Sequence, residues 1–259
     1  MKLYALSRNI NYVLALNGPY SKLAITVFQY LKQKKWEEDV EFCYLLDRLY
    51  MKYGFFPKTM WKLFNGSFKK QLKKELHEPK VGTVMKNAKK RYKEIVKSIQ
   101  EFDKGDRFLF NILSCAMLSS VLLSVTNHYT VSEITSYYSK AMNTKMLRKT
   151  VKKSTAYTVK GREILKNQAK NSELQSNPYS WVFEIQDGEN LNEYTATFKT
   201  CGICHLMKEL NLEEYIPAMC TFDYDMAKLS NTEFSRQYTL ASGGPYCDCH
   251  YKHNGKIKK

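Results

Sequence analysis

N-P-Y-S-W-V-F-E-I-Q-D-G-E-N-L-N-E-Y-T-A-T-F-K-T, residues 177–200, is where the chain changes its hydrophobic period. Upstream, apolar residues recur every three to four positions, as on one face of a helix. After Asn177-Pro178 they alternate. Trp181, Phe183 and Ile185 form one run, Asp187-Gly188 is a turn signal, and Tyr194, Ala196, Phe198 and Thr200 form a second run. A period of two predicts strands, here a hairpin. Downstream the pattern predicts a short helix over about 202–211, a loop over 212–231 and a third strand carrying Phe234, Arg236, Tyr238 and Leu240. Gly243-Gly244-Pro245 then turns the chain into a fourth strand, Tyr246–Tyr251.

Upstream the same reading predicts helices over about 4–16, 20–33, 36–53, 57–77, 81–102, 107–126, 131–142 and 144–170. Pro19, Pro57 and Pro79 punctuate the first half, and Thr130 to Glu133 resembles a capping pair. Helices first and strands last give an α+β fold. An N-terminal helical layer is followed by a C-terminal antiparallel sheet of about four strands. A boundary near residue 105 separates a basic helical region, 1–105, from an α+β domain, 106–259.

The run Phe108–Val125 holds 18 uncharged residues. It includes Asn111 and several serines and has no aromatic belt, so a buried central helix is expected rather than a membrane span. Cys115 within it reads as a small core residue. The N-terminal apolar run is broken by Ser7, Arg8, Asn9 and Asn11, which does not read as a signal peptide. A cytoplasmic protein with reduced thiols is therefore expected.

The formal net charge of +16 is unevenly placed. Residues 68–104 carry 12 Lys/Arg against 5 acids, and residues 143–170 carry 9 against 1, whereas 171–225 carry 2 lysines against 10 acids. Over 81–102 the lysines fall largely opposite the apolar face, as on a solvated helix surface. No aromatic residues are interleaved with them as a stacking platform for bases would require. No specific nucleic-acid recognition and no membrane association are expected.

Five of the seven cysteines lie in the last 59 residues: Cys201, Cys204, Cys220, Cys247 and Cys249. With Asp223 and Asp248 nearby, they suit a nucleophilic site, a metal site or a disulfide framework. Cys201-Gly-Ile-Cys204-His205 also fits the pattern of covalent haem attachment, chemistry that normally needs export. The second thiol pair, Cys247 and Cys249, is C-x-C on a strand and poorly placed for a closed zinc knuckle. Along that strand Asp248 shares a face with Tyr246 and His250, and the two cysteines point the other way.

Four stretches resemble the L-2-amino-thiazoline-4-carboxylic acid hydrolase family. They are C-G-I-C-H-L-M-K-E-L at 201–210, Y-I-P-A-M-C-T-F-D-Y at 215–224, F-S-R-Q-Y-T-L-A-S-G-G at 234–244, and C-D at 247–248. The resemblance is best from Trp181 onward, compatible over 107–126 and absent from roughly the first 80 residues. It implies a hydrolase acting on a cyclic amidine, read as opening a carbon–nitrogen bond to give N-carbamoyl-cysteine. Such a reaction takes a carboxylate-bearing small molecule and no cofactor. The resemblance puts catalytic roles on Cys201, Cys220, Asp223, Cys247 and Asp248. A thiolate among the cysteines, or a water activated by an aspartate, would attack the C2 carbon. Arg236 and Thr239 would bind substrate, Arg236 as the carboxylate clamp. The alternatives are that Asp223 caps a turn, that Asp248 pairs with Arg236, and that the domain is a non-enzymatic small-molecule sensor related to vinyl reductases.

Overall fold

A computed structural model describes residues 54–102, 106–151 and 155–255. The helices expected over 4–16, 20–33 and 36–53 lie outside the described residues. All described residues fall within one compact unit, Arg48–Lys259.

Helix α1 (Phe55–Lys74) buries Met60, Trp61, Phe64, Phe68 and Leu72, one stripe at helical spacing. Helix α2 (Val81–Ser98) buries Val84, Met85, Ala88, Tyr92, Ile95 and Val96. Its lysines 86, 89, 90, 93 and 97 are exposed, so the basic face is solvated. Tyr92 carries its hydroxyl into the core and donates it to the Pro57 carbonyl at 3.1 Å.

Helix α3 (Leu109–Leu122) is the central helix expected from the uncharged run, and only Phe110 and Asn111 of its 14 residues escape burial. At 1.5 Å per residue it spans about 21 Å, short of the ~30 Å hydrocarbon layer. Among the described residues no helix is long and apolar enough to cross a membrane. Its serines are satisfied locally: Ser114 donates to the Asn111 carbonyl at 2.8 Å and Ser120 to the Met117 carbonyl at 2.7 Å. Helix α4 (Val131–Met142) opens on the capping box that Thr130 and Glu133 announce, with both reciprocal bonds made.

The single helix expected over 144–170 is two helices, α5 (Lys145–Val151) and α6 (Val159–Ser172). The physical reason is a hydroxyl cap. Thr158 Oγ1 accepts from the Gly161 N–H at 3.1 Å and starts α6 afresh. A Cβ at position 161 would meet the Thr155 carbonyl at 1.9 Å, so only glycine permits this return.

The sheet has the order β1-β2-β4-β3 and is antiparallel throughout. Its strands are β1 (Phe183–Asp187), β2 (Glu193–Phe198), β3 (Thr232–Ser235) and β4 (Cys247–His253). Arg162 of α6 pins the β1–β2 hairpin, donating to Asp187 at 2.7 Å and to the Glu193 and Leu191 carbonyls at 3.0 Å each. One face, with Phe183, Ala196, Phe198 and Cys249, turns toward the helices, while Glu184, Gln186, His250 and Lys252 are exposed on the other.

Two expectations from sequence need correction. The region 212–231 is not a loop. After a 3-10 turn (Glu213–Tyr215) it forms α8 (Ile216–Leu229), which buries Ile216, Ala218, Met219, Phe222 and Ala227. Pro217 sits in the first turn, where its missing N–H costs no hydrogen bond. The third strand also ends at Ser235 rather than near Leu240. The Gln237 and Tyr238 N–H groups donate to the Asp248 carboxylate instead of a ladder. The short helix, α7 (Gly202–Glu209), stands where expected.

Candidate functional site

Cys201 lies three residues past the end of β2 and is the N-cap of α7. The helix is placed by a close approach. A Cβ on Gly202 would lie 1.8 Å from the Tyr179 carbonyl oxygen, so residue 202 must be glycine for α7 to start there. Tyr179 then donates its hydroxyl to Glu209 at 2.8 Å at the far end of the helix.

Cys220 and Asp223 are three residues apart on α8 and so share a face. Arg236, just past β3, reaches both. Its Nη1 donates to Asp223 Oδ2 at 2.8 Å and its Nη2 to the Cys220 carbonyl at 2.6 Å. Its guanidinium lies 5.3 Å from the ring centres of both Tyr224 and Phe234. The Arg236 side chain is 7% exposed and that of Asp223 44%. Burial works against the Arg236 charge, but the negative charge of Asp223 more than offsets it and raises its pKa. Burial is also the largest influence on Asp223 and holds its carboxyl above the ordinary range, against the pull of Arg236. Asp223 is thus a half-exposed acid beside a buried guanidinium.

The cysteines gather around this pair. Cys220 feels Cys201, Cys247, Asp223 and Arg236, and Cys249 feels Asp223, Arg236 and Cys247. None of these four thiols is poised as a thiolate. Burial pushes Cys220 and Cys249 up to about 12. Cys247 is raised by burial although the Leu240 N–H donates to its sulfur at 3.2 Å. Cys201 is raised by the Cys204 thiol and then by burial. A thiol with a raised pKa is a poor nucleophile at neutral pH. Among the described residues no three or more His, Cys, Asp or Glu side chains converge to hold a metal ion.

Asp248 does not join the cluster, and it does not pair with Arg236. It lies on the opposite face of β4 and accepts from the Gln237 N–H at 3.1 Å and the Tyr238 N–H at 2.6 Å, with His250 Nε2 at 3.3 Å. Thr239 is committed to its own turn. Its hydroxyl accepts from the Ser242 N–H at 3.1 Å, and Gly243 closes the turn at φ +80°. That turn aims the Leu240 N–H at Cys247.

Burial alone would raise the Asp248 carboxyl, but the Tyr238 and Gln237 N–H groups and His250 hold it below the ordinary range. The folded value lies below the unfolded one. Its stabilisation is therefore complete above the unfolded value of about 3.9 and is lost as pH falls through the lowered value. Asp248→Asn is expected to cost about 1–3 kcal/mol at neutral pH. Thermal unfolding at stepped pH should show the gap between variant and wild type narrowing from about pH 5 toward pH 3. A gap independent of pH would mean that the carboxylate charge is not what holds the 236–240 segment.

Sequence reading missed Arg107. It is exposed, lies 5.7 Å from the Phe108 ring and 6.0 Å from the Phe183 ring, and donates to Gln168 at 3.3 Å. Burial nonetheless lowers its pKa, with Tyr194 and Tyr251 opposing. Tyr251 in turn feels Cys249, Asp223, Tyr194 and Arg107. Tyr251 is stacked on Tyr194 at 4.9 Å and packed on Phe234 at 5.0 Å. The only signal in the sequence is an arginine one residue ahead of the uncharged run. A surface hollow of about 270 Å³ beside His128, Tyr129 and Tyr215 shares no residue with the Asp223–Arg236 pair or the thiols around it.

The family model described as L-2-amino-thiazoline-4-carboxylic acid hydrolase matches residues 111–251. That span holds α3 to β4, the thiol cluster, Asp223 and Arg236, and begins just after Arg107. No curated protein matches the chain.

Proposed function

The chain belongs to the L-2-amino-thiazoline-4-carboxylic acid hydrolase family, and on that premise we propose that it hydrolyses a cyclic amidine bearing a carboxylate, with Asp223 as the base that activates water. The observation that carries this reading is Asp223 itself. Its carboxylate is held by Arg236 at 2.8 Å yet left 44% accessible. The raised thiols favour activated water over a cysteine nucleophile.

Atom balance fixes what is broken. Water adds to C2 of the thiazoline ring and yields its proton to Asp223, leaving a tetrahedral carbon that carries oxygen, two nitrogens and sulfur. Expelling sulfur gives N-carbamoyl-cysteine with a free thiol. Expelling the ring nitrogen gives S-carbamoyl-cysteine with a free amine. The N-carbamoyl product therefore requires carbon–sulfur cleavage, which corrects the carbon–nitrogen bond expected from the resemblance. The proton on Asp223 is positioned to return to the departing group.

The substrate carboxylate needs an uncommitted cation. Arg236 is 7% exposed and directs Nη1 to Asp223 and Nη2 to the Cys220 carbonyl. Arg107 has one long bond, to Gln168, and is the better candidate. The test is to incubate the chain with L-2-amino-thiazoline-4-carboxylate and follow thiol release and product mass. Thiol release at a rate that saturates with substrate is expected. Arg107→Gln should raise KM about 10–100-fold, the loss of one charge-assisted hydrogen bond, with little change in kcat. Saturable binding without product would overturn the hydrolase reading in favour of a ligand-binding domain.

A further inference from the structure

Cys201 and Cys204 have a relationship that no other pair of cysteines shares among the described residues. Cys201 is the N-cap of α7, and its carbonyl accepts the first helical hydrogen bond, from the His205 N–H at 3.1 Å. Cys204 is then the third residue of the helix. Three residues of α-helix separate Cα atoms by about 5 Å, from a 1.5 Å rise and a 2.3 Å radius. That falls inside the ~4.4–6.8 Å window for a disulfide. The Cys204 thiol is the largest single influence on that of Cys201, and both residues are half-buried rather than sealed in the core. The remaining thiols are less suited. Cys115 is fully buried and Cys249 is 3% exposed. Cys247 and Cys249 are two strand residues apart, so their Cα atoms are separated by about 6.6 Å, at the edge of the window.

We propose that Cys201 and Cys204 are a redox-active dithiol that closes to an intramolecular disulfide by exchange with a low-molecular-weight disulfide, R–S–S–R. The small deprotonated fraction of Cys201, which grows as pH rises, attacks one sulfur of the reagent and forms a mixed disulfide. The first R–S⁻ leaves and takes a proton. Cys204 then loses its proton, attacks the Cys201 sulfur and expels the second R–S⁻, which is protonated in turn. The protein loses two thiol hydrogens and the reagent is reduced to two R–SH. Gly202 and its contact with Tyr179 fix the first turn of α7 in both states.

The electrostatics give the couple a direction. Strong dithiol oxidants stabilise a low-pKa thiolate in the reduced form. Here the Ile203 and Cys204 N–H groups favour the Cys201 thiolate, but the Cys204 thiol and burial outweigh them. The reduced form gains no such stabilisation, so the disulfide, once made, is favoured and its formation accelerates as pH rises. The couple does not depend on the hydrolase reading. It would nonetheless tie up Cys201, whose charge acts on Cys220 and Cys247.

The experiment equilibrates the full chain in buffers of oxidised and reduced glutathione, traps free thiols by alkylation and maps the peptides by mass. Wild type should lose two alkylatable thiols and gain one internal link, 201–204, reversed by dithiothreitol and formed faster at higher pH. Cys204→Ser removes the resolving thiol and should accumulate glutathione on Cys201 instead. Cys220→Ser should behave as wild type. Separate glutathione adducts on Cys201 and Cys204 in wild type would overturn the proposal. So would a link from Cys201 to Cys220 or Cys247, or two thiols that stay reduced at the highest oxidised fraction.

Discussion

Asp223→Asn is expected to lower turnover of L-2-amino-thiazoline-4-carboxylate by about 10²–10⁴-fold, the usual contribution of a positioned general base. KM should change little, because the amide keeps the shape of the side chain and an oxygen that can still accept from Arg236 Nη1, now at 2.8 Å from Asp223. The protein should fold, since the 7%-exposed guanidinium is not left without an acceptor. The pH profile is the decisive readout. Burial holds the Asp223 carboxyl above the ordinary range, so wild-type activity should rise with pH along a limb displaced upward from the usual ~3.9 of aspartate. That limb should be missing from the residual activity of the asparagine variant. A wild-type limb at or below the ordinary value, or turnover unaffected by the amide, would remove Asp223 from the chemistry.

The same argument sets the expected behaviour of the thiols. Serine at 201, 220 or 247, one at a time, should leave turnover within about tenfold of wild type, as for groups that make no bond to the reacting carbon. Abolition of ring opening at just one of these positions would instead identify a covalent nucleophile. The activated-water mechanism would then be wrong, although family membership would be untouched.

Much of this architecture could be read from periodicity. The switch at Asn177-Pro178 marks the passage from helices to the β1–β2 hairpin, and Thr130 with Glu133 marks the start of α4. These are local signals, and local geometry answers to them. The failures came where tertiary contacts decide. Pro217 looks like a loop residue, but α8 accommodates it in its first turn because Ile216, Met219 and Phe222 are buried. Tyr238 and Leu240 alternate like a strand, yet the Asp248 carboxylate captures the Gln237 and Tyr238 N–H groups and ends β3 at Ser235. For the site, alternation correctly separates Asp248 from Cys247 and Cys249 across β4. It cannot reveal that Asp248 is already saturated by backbone donors. Nor can it bring Arg107 within 6.0 Å of the Phe183 ring, since that meeting depends on how α3 and the sheet pack.

The resemblance implies Arg236 as the substrate clamp, and a clamp at Arg236 would make Arg236→Lys weaken binding more than folding. The geometry leads to the opposite expectation. An ammonium is a point charge on a shorter stem and does not reproduce the planar fork whose Nη1 and Nη2 reach Asp223 and the Cys220 carbonyl at 2.8 and 2.6 Å. It also gives up the planar contacts with Tyr224 and Phe234 at 5.3 Å. Arg236→Lys should therefore cost about 1–3 kcal/mol of stability. Arg236→Ala should approach the ~3–5 kcal/mol of a broken buried pair, toward the lower end because Asp223 can still be hydrated. At ~2–4 °C per kcal/mol for a chain of this size, the alanine variant should melt roughly 6–15 °C lower. Arg107→Gln supplies the contrast. Its side chain is exposed, so stability should stay within about 0.5 kcal/mol while KM rises. One arginine then moves the melting temperature and the other moves KM. If Arg236→Lys raised KM without lowering the melting temperature, the guanidinium would be contacting substrate, and Arg107 would lose its role as the carboxylate partner.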